Sequence, residues 1–321
     1  MTSQQVSILA VNSGDIASYN QAKYLLAKFN WEELGAVEGK SAYRYNGVRM
    51  WMFEKGILFE DDIDKRWHEQ TGELVSEVIF PSRHAAASGK PSLTLHPIGV
   101  PHLLKDEHPK FGGKSGYAAP PSTRLSSWWK MLQNYVEGTE LANQFELTLE
   151  VTHHGPWLEV PALFIEIGST EETWPHEGAA ELLASIISDG MGFSNGKNVG
   201  LWDSKENAGE LVLVTLGGGH YAPRANKLAS MDGVWLGHML ATYALPFEKA
   251  EDDVSLPGGT WKQSIESALD ATKKAFPNGK IICSMDKKAF RGWQRQAIRD
   301  FLAAVEIPLL TTKQIIEMLD K

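Results

Sequence analysis

Cysteine is all but absent: Cys283 is the single one in 321 residues. No intramolecular disulfide can form and no multi-cysteine zinc site is possible, so any zinc must be held by His, Asp or Glu. Long apolar runs are missing too. No stretch reaches the roughly 18 consecutive apolar residues of a membrane span. The opening MTSQQVSILAVNSGD has neither a basic n-region nor a long apolar h-region. A cytoplasmic protein without membrane or secretory signal is expected. G-x-S-x-G and H-E-x-x-H do not occur, which removes support from serine-hydrolase and zincin chemistry. No repeat, low-complexity segment or linker divides the chain, so one α/β domain over 1–321 is expected, as a monomer.

Basic charge is in deficit overall, with a formal net charge of -9, but it is not evenly spread. Residues 81–130 carry seven Lys/Arg against Asp106 and Glu107, and residues 261–299 carry nine against Glu266, Asp270 and Asp286. Two basic windows on an acidic body suit a protein that grips phosphate locally and repels it elsewhere.

Hydrophobic periodicity alternates strand and helix. Val6–Val11, Val48–Phe53, Leu74–Phe80, Ser92–His96, Phe145–Thr152, Ala162–Ile167, Leu211–Leu216 and Lys280–Met285 read as strands. Ile16–Phe29, Arg124–Glu137, Glu177–Ser188, Trp261–Phe276, Lys287–Ala304 and Thr312–Leu319 read as helices, and Val234–Tyr243 reads as either. His102–Ser122, rich in Pro, Gly and Lys, reads as a long surface loop of a functional or mobile kind. The alternation predicts a three-layer mixed sheet with helices on both faces.

Ten histidines are present, and half of them stand at the ends of predicted strands, where open α/β sheets bind ligands. His84, His96, His153, His154 and His220 stand at such ends. Glu166 lies inside the apolar strand FIEIG. A buried carboxylate is costly unless paired or bound to a metal, so Glu166 either serves a site or caps the amides of residues 168–170. His153 and His154 are neighbours, and strand geometry points neighbours to opposite faces. One is then catalytic or a ligand while the other packs, unless the chain turns at Gly155-Pro156; both can also be structural. Three glycines, Gly217 to Gly219, lead into His220 and Pro223, which suits the first turn of a helix. Free amides there can bind a phosphate or an oxyanion, with those of Gly218 and Gly219 the oxyanion candidates, or the run is a tight strand-to-helix turn with His220 as a polar plug. His176 reads as a solvent-facing neighbour of a helix cap rather than a ligand, and His238 as a core polar group or a support behind the site. His68 and His108 read as solvent-facing, and His102 lies in the loop. Lys288, Arg291, Arg295 and Arg299 would form one basic stripe on a helix, either an ordinary solvated face or an RNA contact with Phe290 and Trp293 stacking on bases.

TLEVTHHGP (148–156), PALFIEIGSTEETW (161–174) and GGGHYAPR (217–224) resemble the motifs of the D-aminoacyl-tRNA deacylases of archaea and plants. SRHAAASGKPSLTLHPIG (82–99) resembles that family's earlier histidine block, and residues 261–277 and 285–294 its C-terminal part. The likeness spans nearly the whole chain, and the long loop brings it closer to the plant and algal members. Where the family pattern has Asp-His-Lys this chain has Asp286-Lys287-Lys288, so no catalytic role is assigned there.

The resemblance implies hydrolysis of the ester between a D-amino acid and the 3′-terminal ribose of tRNA, with zinc, on a fold similar to peptidyl-tRNA hydrolase and purine nucleoside phosphorylase. The expected site combines His153, His154, His220 and Glu166 as catalytic groups with His96, His154, Glu166 and His220 as metal ligands. Arg83, Lys288, Arg291, Arg295 and Arg299 are expected to contact tRNA, mainly at phosphates, with no DNA or membrane partner. A nucleoside-phosphorylase-like enzyme on the same fold and a non-catalytic RNA-binding module are the competing expectations.

Overall fold

The computed structural model describes residues 5–250 and 257–320. The first half runs β1 (Gln5–Asn12), α1 (Ile16–Lys28), β2 (Glu32–Val37), β3 (Lys40–Tyr45), β4 (Val48–Phe53), α2 (Ile63–Thr71), β5 (Leu74–Ala85), β6 (Ser92–His96), α3 (Leu125–Val136), α4 (Leu141–Gln144) and β7 (Glu146–Leu149). The second half runs β8 (Ala162–Ser169), α5 (Glu177–Gly190), β9 (Leu211–Leu216), α6 (Pro223–Ala229), β10 (Val234–Leu240), α7 (Trp261–Ala275), β11 (Lys280–Met285), α8 (Gly292–Ala304) and α9 (Thr312–Leu319).

Eight strands form one mixed sheet in the order β2-β3-β4-β1-β5-β8-β6-β7. β1, β4, β5 and β8 run parallel and β6 runs against β8. Both faces are covered, which is why the central strands read as nearly continuous apolar runs. Along β1, Leu9 and Val11 join the core beneath α1, α3 and α5, while Val6, Ile8 and Ala10 join the one beneath α2. That is the period of two made visible. The α/β class with helices on both faces is as expected. The remaining strands form a separate parallel sheet in the order β10-β9-β11, a division the sequence pattern does not reveal. It settles Val234–Leu240 as a strand.

Some local expectations are corrected. β2 and β3 are absent from the reading above because each buries only one of its six residues, Val37 and Ala42, so neither shows an apolar run. α2 was hidden by its acidic surroundings, although Ile63 and Trp67, four apart, are its buried stripe. The basic helix expected from residue 287 starts only at Gly292. Asp286 caps a 3₁₀ turn at Lys287–Ala289 by accepting from the amide of Lys288, and Phe290 then adopts an extended conformation and is buried. Lys288 and Arg291 therefore precede the helix, and Phe290 is a core residue rather than a stacking surface. Arg124, counted in the first basic window, is fully buried against Glu77.

The loop at 102–122 is clasped to the body. Val100 donates to Tyr117 O (2.9 Å), Ala118 to Ser267 Oγ (2.9 Å) and Gly155 to Phe111 O (3.0 Å). The two sheets also meet along one seam. Val151 donates to His220 O (3.0 Å) and Thr152 to Met239 O (2.7 Å), so the chain leaving β7 is stitched to the ends of β9 and β10.

Candidate active site

The seam and the ends of β5 and β8 enclose a cavity of about 490 Å³ lined by Asp15, Arg83, His84, His153, His154, Glu166 and His220 among others. Register explains the grouping. Ser82 and Thr94 flank Glu166 across β5, β8 and β6, and His96 lies opposite Phe164. Residues two apart share a face, so His84, Glu166, Thr94 and His96 project from the same side of the sheet. Phe164 supports the wall, stacked on Phe80 (4.5 Å between centroids) and on His96 (5.1 Å).

His153 and His154 do not point apart. His154 has φ of 41°, outside the strand region, and the two rings lie 4.3 Å apart beside His96. In each of the three, Nδ1 faces a backbone carbonyl: Pro97 O at 3.0 Å for His96, Val151 O at 2.8 Å for His153 and Gly155 O at 2.7 Å for His154. A carbonyl only accepts, so each Nδ1 carries the proton and each Nε2 presents a lone pair. Burial disfavours the charged form. It lowers His96 to about 4, His154 to about 3, and His153 well below its ordinary value, with neighbouring rings adding to the effect. Three neutral imidazoles with ligand atoms within 4.8 Å of one another can hold a metal ion. The Nε2 of His96 is buried without a hydrogen-bond partner.

Glu150 lies beside them, fully buried. Its Oε2 accepts from His220 Nε2 at 2.7 Å, and its Oε1 is 3.1 Å from His84 Nδ1. Burial alone would raise its pKa, but His220 and His84 outweigh that and hold it well below the ordinary carboxylate range. The reciprocal effect appears in His84: burial depresses it, Glu150 more than compensates, and its pKa is raised. His84 Nε2 faces Tyr221 Oη at 3.1 Å, and His220 Nδ1 faces Tyr243 Oη at 3.4 Å. Glu166 is the opposite case. Burial and then the Glu150 charge push its pKa well above the ordinary value. Its Oε2 lies 3.6 Å from His96 Nε2 and 3.7 Å from His84 Nδ1. It faces these rings rather than capping the amides of residues 168–170. His84, Glu150 and His220 form a second group able to hold an ion, as do His96, Glu150 and Glu166.

His238 sits behind this wall. Thr152 Oγ1 is 2.9 Å from its Nδ1, and its Nε2 donates to Ala119 O at 3.0 Å. Burial lowers its pKa to about 3. Because that lies below the unfolded value near 6.5, the stability it contributes is complete above pH ~6.5 and is lost as pH falls toward about 3. The slope is at most about 1.4 kcal/mol per pH unit. Urea denaturation at pH 7 and pH 5 is expected to show a smaller acid-induced loss in His238→Gln than in the wild type. Equal losses would count against it.

A family model described as D-aminoacyl-tRNA deacylase matches residues 71–310. The D-aminoacyl-tRNA deacylase of Arabidopsis thaliana is 44% identical over 309 residues, 94% of this chain and 97% of that protein. The chain belongs to the D-aminoacyl-tRNA deacylase family. The enzyme of that name from Methanosarcina barkeri is 32% identical over 313 residues, covering 94% of this chain and 88% of its own. The one from Pyrococcus furiosus is 30% identical over 249 residues, covering 76% and 83%. A crystal structure of a conserved protein of unknown function, AF0625, shares the fold, with a TM-score of 0.76 at 23% identity over 98% of this chain and 97% of that one. Membership of the deacylase family disfavours the phosphorylase-like expectation. The greater likeness to the plant deacylase than to these two archaeal ones matches the sequence reading.

Within this deacylase the structure gathers His96, His153, His154, Glu166 and His220 around one cavity, with Arg83 on its wall. Arg83 lies over the Trp174 ring at 4.5 Å. Lys288 and Arg299 line a different cavity of about 660 Å³, together with Arg224, Lys287 and Lys313. Arg295 is committed to the carbonyls of Lys287 (3.1 Å) and Phe290 (2.8 Å), and Arg291 is exposed at the start of α8. The amide of Gly218 donates to Thr242 Oγ1 at 3.0 Å, which leaves Gly219 as the remaining oxyanion candidate of the pair. His176, read from the sequence as a neighbour of the cap, is itself the cap of α5, accepting from Ala179 N at 3.1 Å. Sequence reasoning missed Glu150 and gave His84 no role.

Proposed function

We propose that the chain hydrolyses the ester linking a D-amino acid to the 3′-terminal ribose of tRNA, releasing the free D-amino acid and tRNA. The observation that carries this is the 44% identity over 97% of the plant deacylase. The geometry supports it: a cavity that pairs three neutral histidines with the buried Glu150 carboxylate between His220 and His84 suits water attack on an activated ester.

The donor set fits zinc. His96, His153 and His154 would hold it through Nε2, since their Nδ1 atoms are occupied by carbonyls and one Nε2 is an orphaned buried atom. Glu166 stands next to His96 as a further oxygen donor. When bound, zinc supplies a Lewis acid and a water that ionises near neutral pH. His220 is better suited to proton transfer, because the Glu150 carboxylate fixes its Nε2–H and leaves Nδ1 as the basic atom. His220 Nδ1 takes a proton from the attacking water. As the carbonyl carbon–oxygen bond breaks, it returns that proton to the departing ribose oxygen. The Gly219 amide is assigned to the developing oxyanion.

The acceptor strand is assigned to the basic cavity of Lys288 and Arg299, where Arg224, Lys287 and Lys313 add charge. Arg291 extends that surface, and Arg83 contacts the substrate at the site itself. Among the described residues no helix is long and apolar enough to cross a membrane. The single cysteine is buried, which suits a reducing cytoplasm.

Hydrolysis of D-Tyr-tRNA beside L-Tyr-tRNA, each with and without a chelator, tests the reading. Fast release is expected from the D-ester alone, abolished by chelation and restored by added zinc. Equal rates on both esters would remove the chirality assignment, and indifference to chelator would remove the zinc.

A further inference from the structure

Two large aromatic side chains stand exposed at the mouth of the catalytic cavity: Phe59 at 60% and Phe111 at 54% exposure, both lining it. The chain holds them there by close backbone packing. Phe111 O accepts from the amide of Gly155, the residue after His154. Gly112, at φ of +70°, lies so tight against the carbonyl of Leu58 that a Cβ would come within 1.7 Å of it. A Cβ on Gly155 would come within 2.2 Å of Gly113 N and 2.5 Å of Leu58 O. The segments carrying Phe59, Phe111 and the histidines are thus interlocked main chain to main chain, with glycine required where they touch. Such a bracket fixes both aromatic residues relative to His153 and His154, while leaving their rings to solvent.

We propose that Phe59 and Phe111 form the stacking platform for the adenine of the 3′-terminal nucleotide, a positioning role for the reaction assigned above. The inference rests on that assignment, since the ester and the adenine are carried by one ribose and an ester at the histidines brings the base to the same cavity. The cavity's inner wall is polar, with Asp15, Glu166 and the histidines around Arg83. These polar groups suit the ester and the ribose hydroxyls and offer the base no flat apolar face. The cavity's apolar lining is concentrated at Ile57, Leu58, Phe59 and Phe111, and an aromatic face accepts a base by stacking. The amino-acid side chain is the other apolar group that enters. It varies from substrate to substrate, whereas the terminal adenine is common to every tRNA, and a rigid platform suits the constant part.

The test compares Phe59→Ala, Phe111→Ala and the corresponding tryptophan variants on D-Tyr-tRNA and D-Ala-tRNA. Each alanine is expected to raise KM about 5- to 100-fold, by a similar factor for both esters and with kcat little changed, whereas tryptophan keeps KM near wild type. A rise confined to D-Tyr-tRNA would assign the platform to the amino-acid side chain and overturn the proposal, as would unchanged KM in both alanine variants. A second measurement does not depend on hydrolysis. The wild type is expected to bind a labelled CCA trinucleotide more tightly than a CC dinucleotide, and the double alanine variant to bind the two alike. If the wild type hydrolysed no D-aminoacyl-tRNA the functional assignment would fail, while the oligonucleotide comparison would still decide the platform. No preference for CCA in the wild type overturns it.

Discussion

His154→Ala is expected to lower kcat/KM for D-Tyr-tRNA by about 10²–10⁴-fold and to release zinc from the purified protein. The two effects should travel together, because the Nε2 lone pair of His154 is directed by its Nδ1–H to Gly155 O and has ligand partners in His96 and His153. His153→Ala should behave the same way. That matters because the sequence argument placed His153 among the catalytic residues and left it out of the ligand set. His220→Ala is the contrast: hydrolysis should fall while zinc bound by the three-histidine group stays. Metal analysis alongside single-turnover rates separates these cases. Full activity in folded His154→Ala, or loss of zinc in His220→Ala with retention in His153→Ala, would reverse the division of labour.

Arg124→Ala is expected to destabilise the fold by about 3–5 kcal/mol, the usual cost of removing one partner of a buried ion pair. Arg124 Nε lies 3.0 and 2.9 Å from the two carboxylate oxygens of Glu77, and Nη2 lies 2.8 Å from Oε1. Its remaining donors reach Gly190 O (2.7 Å), Val199 O (2.9 Å) and Asn198 Oδ1 (2.9 Å). One side chain therefore ties the start of α3 to β5 and to the end of α5. Truncation leaves the buried Glu77 carboxylate without its charge partner and takes a donor from Gly190 O, Val199 O and Asn198 Oδ1. The double variant Arg124→Met, Glu77→Leu should recover part of the loss, since no charge is then left unpaired. Urea unfolding measures both, and a midpoint shift worth less than about 1 kcal/mol in Arg124→Ala would refute the assignment.

How far the sequence could be read depends on how local its signals are. The strands of both cores announce themselves by apolar, β-branched runs, and the strand-end histidines by their position before glycine and proline. His153 and His154 exceed that logic. Two neighbouring rings turned to one side require the chain to leave strand geometry at His154, and no residue pattern declares a positive φ at a histidine. Glu150 was hidden for a different reason. In FELTLEVT the polar residues alternate, as on a solvent-facing strand edge. That side is instead covered by His220 and His84, contacts made across sheets and long sequence separations. The basic stripe failed because spacing assumes a continuous helix, and Asp286 interrupts it with its own cap. Arg124 counted as surface charge because composition has no inside or outside.

The seam between the sheets has a consequence for when the protein becomes reactive. Glu150, His153 and His154 are synthesised well before His220, and the ring that pairs with Glu150 arrives only as β9 joins the seam. Without that contact the three-histidine group lacks the ring assigned to proton transfer. Hydrolytic competence is thereby a property of the two sheets together, not of the larger sheet alone.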